Sequence, residues 1–183
     1  DSYKSLDRQA AKAHPGCGGL FFLPYLTGER TPHADPAARG GWIGITARTT
    51  RSELIRSVME GATFAMNDAL TILRQRGVRP RQVRLSGGGA RSAFWRQMQA
   101  DIYGATCAAV RTEEGPAYGA AILAAVGTGR YASVPQACEA IVRITSAIKP
   151  DPAAKRAYAR CYRQYRRLYP ALKEEFPRMA KLY

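Results

Sequence analysis

The sequence contains no uninterrupted apolar run near the length of roughly 20 residues that a membrane-spanning helix needs, and its first residues carry no apolar core of a signal peptide. The expected compartment is therefore the cytoplasm. It also lacks any C-x-x-C pair: Cys17, Cys107, Cys138 and Cys161 are irregularly scattered, with only His14 and His33 to join them. Neither a zinc pattern nor a disulfide framework follows from that spacing, so no metal site is read and four reduced, mostly buried thiols are expected. Repeats and low-complexity tracts are missing as well. So are G-x-G-x-x-G and G-x-x-x-x-G-K-[ST], which withholds both the Rossmann and the P-loop phosphate-binding mechanisms.

Acidic residues are scarce. Asp and Glu number 14 against 28 Lys and Arg, a formal charge of +14, and such a field attracts nucleic acid, anionic lipid or phosphorylated ligands. Half of the excess, ten basic against three acidic residues, lies in the last stretch, 149–183. There arginines alternate with Tyr158, Tyr162, Tyr165 and Tyr169. The favoured reading is a helix whose tyrosines pack on the domain while its arginines are solvated. A nucleic-acid-binding module built on the same helix is the other, and nucleic acid is not the expected partner.

With 183 residues, 46% of them apolar, the chain can bury one full core and not two large ones. Leu20 to Leu26 reads as a short buried strand with an irregular end at Pro24, 27–41 as a structured loop, and Trp42 to Ile45 as a second short strand. Thr50-Arg51-Ser52-Glu53 is a capping box, after which apolar residues recur at helical spacing from Leu54 to Leu73, with Gly77 as the stop. Gly61 and neighbouring alanines thin the buried face of that helix, so another element can come close. Then follow a strand at 83–86, a helix from Ser92 to Tyr103 stopped by Gly104, and a strand at 106–110. Pro116 to Val126 is a helix of small residues that is expected to be buried, as at a domain hinge. Ser133 with Pro135, and Asp151 with Pro152, open two more helices. Alternating strands and helices indicate an α/β domain with a layered sheet. The strands are few for the helices, and Asp1 is not an initiating Met, so part of the domain is expected upstream.

The segment Val83-Arg84-Leu85-Ser86-Gly87-Gly88-Gly89-Ala90-Arg91-Ser92 runs from apolar alternation through three glycines into a helix. Bare glycines let main-chain N–H groups approach a phosphate or base closely. Ser92 supplies an N-cap that aims the helix N-terminus at the same turn. A tight strand-to-helix connection with no ligand explains the pattern equally well.

Three segments in order carry a resemblance to a known family. Phe22-Leu23-Pro24-Tyr25-Leu26-Thr27-Gly28-Glu29-Arg30-Thr31-Pro32-His33 is the first. The second runs from Gly40 to Glu60 and includes Gly44, Glu53, Leu54, Ser57 and Glu60. The third is Gly87 to Tyr103 followed by Gly115 to Ala125. Together they resemble the C-terminal domain of the FGGY family of carbohydrate kinases, in particular the members that phosphorylate D-xylulose. The resemblance implies a domain of the actin, Hsp70 and hexokinase-like (ribonuclease H-like) superfamily, incomplete at its N-terminal side, with residues 1–183 as the nucleotide-binding domain.

It further implies ATP and Mg2+ as cofactors, with Gly87, Gly88, Gly89 and Ser92 around the nucleotide and the 46–50 loop approaching from the other side. Arg48 and Ser52 depart there from the residue types of other family members. The catalytic aspartate, the sugar pocket and a metal-associated aspartate are implied to lie in a preceding domain. No catalytic or metal residue is therefore assigned, and the chain alone is expected to transfer no phosphoryl group. D-xylulose, another ketose or a polyol fits as the sugar. Glu29 and Arg30 are read as a loop-holding pair, and Glu60 and Asp101 as structural carboxylates rather than metal ligands.

Overall fold

The computed structural model describes residues 2–111 and 115–182. Helix α1 (Ser2–Ala10) leads through a glycine-rich turn into β1 (Phe21–Leu23), which pairs antiparallel with β2 (Gly41–Ile43), Phe22 opposite Trp42. The long helix α2 (Arg51–Gln75) starts where the capping box requires. The Thr50 side chain accepts from the Glu53 N–H, and the Glu53 carboxylate accepts from the Thr50 N–H at 2.7 Å. Gly77, with φ of 88°, follows its end as the left-handed stop.

Strand β3 (Gln82–Leu85) is followed by a single 3-10 turn (Gly88–Arg91), α3 (Ala93–Tyr103) and β4 (Thr106–Val110), and β3 and β4 pair in parallel. After α4 (Gly115–Gly127) and α5 (Val134–Ile141), β5 (Ile144–Ile148) closes the sheet antiparallel to β4, in the order β3-β4-β5. Helices α6 (Pro152–Leu172) and α7 (Glu175–Ala180) complete the chain. Ser92, Ser133 and Asp151 cap α3, α5 and α6 through side-chain oxygens, as their sequence contexts predict.

The core lies between α2, α3 and α6. Tyr158 and Tyr165 are both 1% exposed and flank Phe64 of α2, with ring centroids 6.1 and 5.2 Å from it. Arg160, Arg163, Arg166 and Arg167 point outward from the same helix, so the Tyr/Arg alternation is a core face and a solvated face. At Gly61 the backbone of β1 comes so close that a Cβ would collide with the Phe22 carbonyl oxygen. Small size at that position is what lets the two-stranded sheet lie on α2.

The fold corrects three expectations. Helix α4 is mostly exposed: Ile122 is its buried residue, and Leu123 is 60% exposed. Its small apolar residues meet α5, where the Tyr118 hydroxyl donates to the Ile141 carbonyl, and no described element covers its remaining faces. Composition reported its hydrophobicity but not what lies beside it. Of the cysteines, Cys17 and Cys107 are buried, Cys138 and Cys161 only partly so, and all are free. Glu29 does hold its loop, but by accepting from the N–H groups of Arg30 and Thr31 at 2.7 and 2.8 Å. No ion pair joins its carboxylate to the Arg30 guanidinium among the described residues.

Candidate functional site

Gly87 to Ser92 sits at the C-terminal end of β3, beside the end of the parallel strand β4, the side of a parallel pair where ligands gather in α/β sheets. The three glycines differ in what each contributes. Gly87 has φ of 79°, a left-handed conformation that L side chains resist, and it turns the chain out of the strand. A Cβ on Gly88 would meet nothing within 4 Å, whereas one on Gly89 would lie 3.1 Å from the six-membered ring of Trp95. The Trp95 ring is itself fixed by its Nε1–H, which donates to the Thr63 hydroxyl at 2.8 Å.

Ser92 is spoken for as an acceptor, since its Oγ takes the Trp95 N–H at 2.9 Å. The N-terminus of α3 follows directly on the turn. Such an end holds an anion or a polar edge through its N–H groups and the helix dipole.

Hollows open on both sides of the turn. One of about 650 Å³ is bounded by Tyr3, Lys4 and Asp7 of α1 and by Gly88, Gly89, Arg91, Ser92 and Trp95. Another, of about 480 Å³, is an apolar trough between α2, β3 and α3 that also reaches Gly89 and Trp95. Gly88, Gly89 and Ser92 are thus brought together on one opening wide enough for a small ligand, while Gly87 faces a separate hollow across the ends of β3 and β4. The 46–50 loop is not part of these walls. It folds on itself, with the Thr46 N–H donating to Thr49 Oγ1 at 2.9 Å, ahead of α2.

Glu60 and Asp101 have other work. Glu60 is buried in a pair with Arg56, and burial lifts its carboxyl above the ordinary value against the pull of Arg56, the Gly16 N–H and the Tyr158 hydroxyl. Asp101 accepts the Asp151 N–H at 2.7 Å and so ties α3 to the start of α6. Burial raises its pKa too. No group of three or more His, Cys, Asp or Glu side chains that could hold a metal ion occurs among the described residues.

The side chains that reasoning from sequence missed are Tyr3, Lys4 and Asp7, which reach the turn from α1, and Arg96 and Arg111, which line the hollow on its other side. Neither group has a spacing motif. Helix α1 lies over 80 positions before the turn, and only the fold brings the two together.

Residues 1–128 match the model of the FGGY family of carbohydrate kinases, C-terminal domain. Over 174 residues the chain is 37% identical to a xylulose kinase of Staphylococcus epidermidis, covering 95% of this chain and 35% of that one. Among solved structures it is similar to a ligand-bound xylulose kinase from Lactobacillus acidophilus, with a TM-score of 0.88, 27% identity and coverage of 96% of this chain and 36% of that chain. A xylulose kinase from Rhodospirillum rubrum gives a TM-score of 0.81 at 33% identity, over 95% of this chain and 35% of the other. The chain therefore spans about a third of the length of these relatives. No helix among the described residues is long and apolar enough to cross a membrane. A family match over 128 of 183 residues, on a fold that overlays solved kinases along almost its whole length, establishes that this chain belongs to the FGGY family of carbohydrate kinases.

Proposed function

We propose that this chain is the nucleotide-binding part of an ATP-dependent sugar kinase whose intact form converts D-xylulose to D-xylulose 5-phosphate. Gly87, Gly88, Gly89 and Ser92 line the adenine nucleotide in this reading. The observation that carries it is Gly88: exposed backbone with open space where a side chain would stand, at the mouth of a hollow of about 650 Å³ and at the N-terminus of α3. The xylulose kinases it is similar to, along 95% of its length in one case, supply the sugar.

Phosphoryl transfer needs a base on the sugar hydroxyl, an in-line arrangement and stabilisation of charge on the phosphates. The glycine turn and the helix end do the binding part: they hold a nucleotide by backbone N–H groups that cost little to reorganise. The described residues offer no side-chain cluster for Mg2+, so none is assigned to it and no step is routed through it. The base and the sugar pocket belong, on this reading, to the part of the kinase outside this chain. The 183 residues alone are then a nucleotide binder without transfer activity, and sugar selectivity is decided elsewhere.

Calorimetric titration of the chain with ADP tests the reading. Binding that is weakened at least ten-fold by Gly88→Trp, with the thermal midpoint unchanged, is the expected result, because the added side chain fills ligand space and its Cβ has no protein atom within 4 Å. Unchanged affinity removes the glycine turn from the site, and D-xylulose-dependent ADP formation by the chain alone overturns the division of labour.

A further inference from the structure

Thr63 lies on the inner face of α2 and is fully buried. Its hydroxyl donates to the Met59 carbonyl, one turn back, at 2.7 Å. A hydroxyl has a single proton, so that bond uses its donor and leaves its lone pairs to accept. The indole N–H of Trp95, which can only donate, fills that role from α3 at 2.8 Å. The direction of both bonds is thereby determined, and with it the plane of the ring.

Trp95 meets the glycine turn at two further points. Its backbone N–H donates to Ser92 Oγ at 2.9 Å, and its six-membered ring would stand 3.1 Å from a Cβ on Gly89. Because Gly89 has no side chain to hold it off, the ring itself sets where the backbone of the turn runs. The indole is also a partition. On one side it lines the opening of about 650 Å³ that carries Gly88 and Ser92, and on the other the apolar trough of about 480 Å³ between α2, β3 and α3. Packing alone does not choose the orientation of a half-buried ring with open space on both sides; the bond to Thr63 does.

We propose that Thr63 is a positioning residue for the nucleotide, an inference that rests on the nucleotide reading of the glycine turn. Its hydroxyl holds the Trp95 indole, and the indole holds Gly89 in the conformation that presents the backbone of the turn to the ligand. Thr63 lines neither hollow, so its effect passes wholly through the ring. A turn held in place before the ligand arrives loses less freedom when it binds. Packing between α2 and α3 does not require the hydroxyl, since valine has the same shape. What valine cannot do is answer the indole N–H.

Two variants divide packing from positioning. Thr63→Val keeps the shape and removes the acceptor, whereas Thr63→Ser keeps the hydroxyl and removes a buried methyl. Titration with ADP is expected to give a dissociation constant about five-fold higher for Thr63→Val, the value of one hydrogen bond. Thr63→Ser is expected to bind as the parent does, although loss of the methyl lowers its thermal midpoint. Trp95→Phe, which keeps a ring without the N–H, should weaken ADP as well, and adding Thr63→Val to it should weaken binding no further, because both remove the same bond. Affinity that follows thermal stability instead of the hydroxyl overturns the proposal, as does an additive double variant.

NMR of the unliganded 15N-labelled chain separates this proposal from the reading beneath it. In Thr63→Val the Trp95 indole resonance and the Gly88 and Gly89 amides are expected to move or broaden, while in Thr63→Ser they stay near their parent positions. If the parent binds no ADP, the nucleotide reading fails and the same resonances decide the role of Thr63. Displaced glycine amides in Thr63→Val keep it as the residue that positions the turn; unmoved ones overturn it.

Discussion

Arg56 and Glu60 stand one turn apart on α2 and form a buried ion pair, Nε to Oε1 2.7 Å, with side chains 8% and 3% exposed. The carboxylate also accepts from the Gly16 N–H and from the Tyr158 hydroxyl at 3.1 Å, and that hydroxyl in turn accepts from Arg56 Nη2 at 2.6 Å. Arg56 Nη1 donates to the Ala13 carbonyl at 2.7 Å. The turn before β1, helix α2 and helix α6 thus meet at one charge pair.

Breaking that pair from one side leaves a charge buried without a counterpart. Glu60→Gln is expected to cost about 3–5 kcal/mol, the range for removing one partner of a buried pair, read as a lowered urea midpoint. The double replacement Arg56→Met with Glu60→Leu should recover most of the loss, since an apolar pair needs no desolvation of charge. A single variant as stable as the parent would mean that the pair only fills space.

Much of this fold was legible because its helix starts are written locally. Thr50 with Glu53, Ser92, Ser133, and Asp151 with Pro152 each state a boundary within four residues, and the structure puts helices there. Strand β5 was not legible. Ile144, Thr145 and Ala147 are all exposed, so no apolar alternation marks it, and what makes it a strand is the neighbouring β4. Helix α4 failed the other way: its residues announce burial, but packing against α5 leaves only Ile122 buried among its described residues. The glycine turn was visible as a turn from its composition. Its walls were not, because Tyr3, Arg111 and Ser146 reach it from segments scattered over more than a hundred positions.

Gly61 offers a sharper stability test. Gly→Ala inside a helix ordinarily stabilises by roughly 0.5–1 kcal/mol through backbone entropy. At this position the new methyl would overlap the Phe22 carbonyl oxygen and press on the Phe22 Cβ at 3.2 Å. The backbone of β1 cannot rotate away as a side chain would, so overpacking decides the sign. Gly61→Ala is expected to destabilise by about 1–3 kcal/mol or more, measured by urea unfolding. A stabilised variant would show that β1 rides on α2 loosely.

The glycines of the candidate site should separate from one another by mechanism. Alanine at Gly87 must adopt a φ of 79° and is expected to lower stability by about 1 kcal/mol. Alanine at Gly88 meets nothing, and at Gly89 it crowds the Trp95 ring at 3.1 Å. Thermal unfolding should therefore rank the variants with Gly88→Ala closest to the parent, while ADP titration singles out larger residues at Gly88. A uniform loss of stability across all three would contradict the open space over Gly88.

His33 stacks on Tyr169 with centroids 3.6 Å apart and rings 5° from parallel, and the Tyr169 hydroxyl donates to Asp35 at 2.9 Å, so α6 clamps the loop after β1. Burial holds the imidazole below its ordinary pKa of 6.5, and Arg166 pushes the same way; Asp68, Glu29 and Asp35 oppose without reversing the shift. A base whose folded pKa is depressed resists protonation only while the protein is folded. Its contribution to stability is therefore complete above pH 6.5 and is lost as the pH falls from there through the folded value. Asp68, whose pKa is raised by burial, acts with the opposite sign, its contribution lost as the pH rises through its folded value. Comparing the parent with His33→Phe, which retains a stacked ring and removes the titration, isolates the histidine. The thermal midpoint of the parent should decline as the pH falls from about 7 to about 5, through and below the ordinary histidine value, more steeply than that of the variant. Identical acid limbs would mean that protonated His33 stays in the stack, and that the clamp of α6 on this loop does not depend on the charge of the ring.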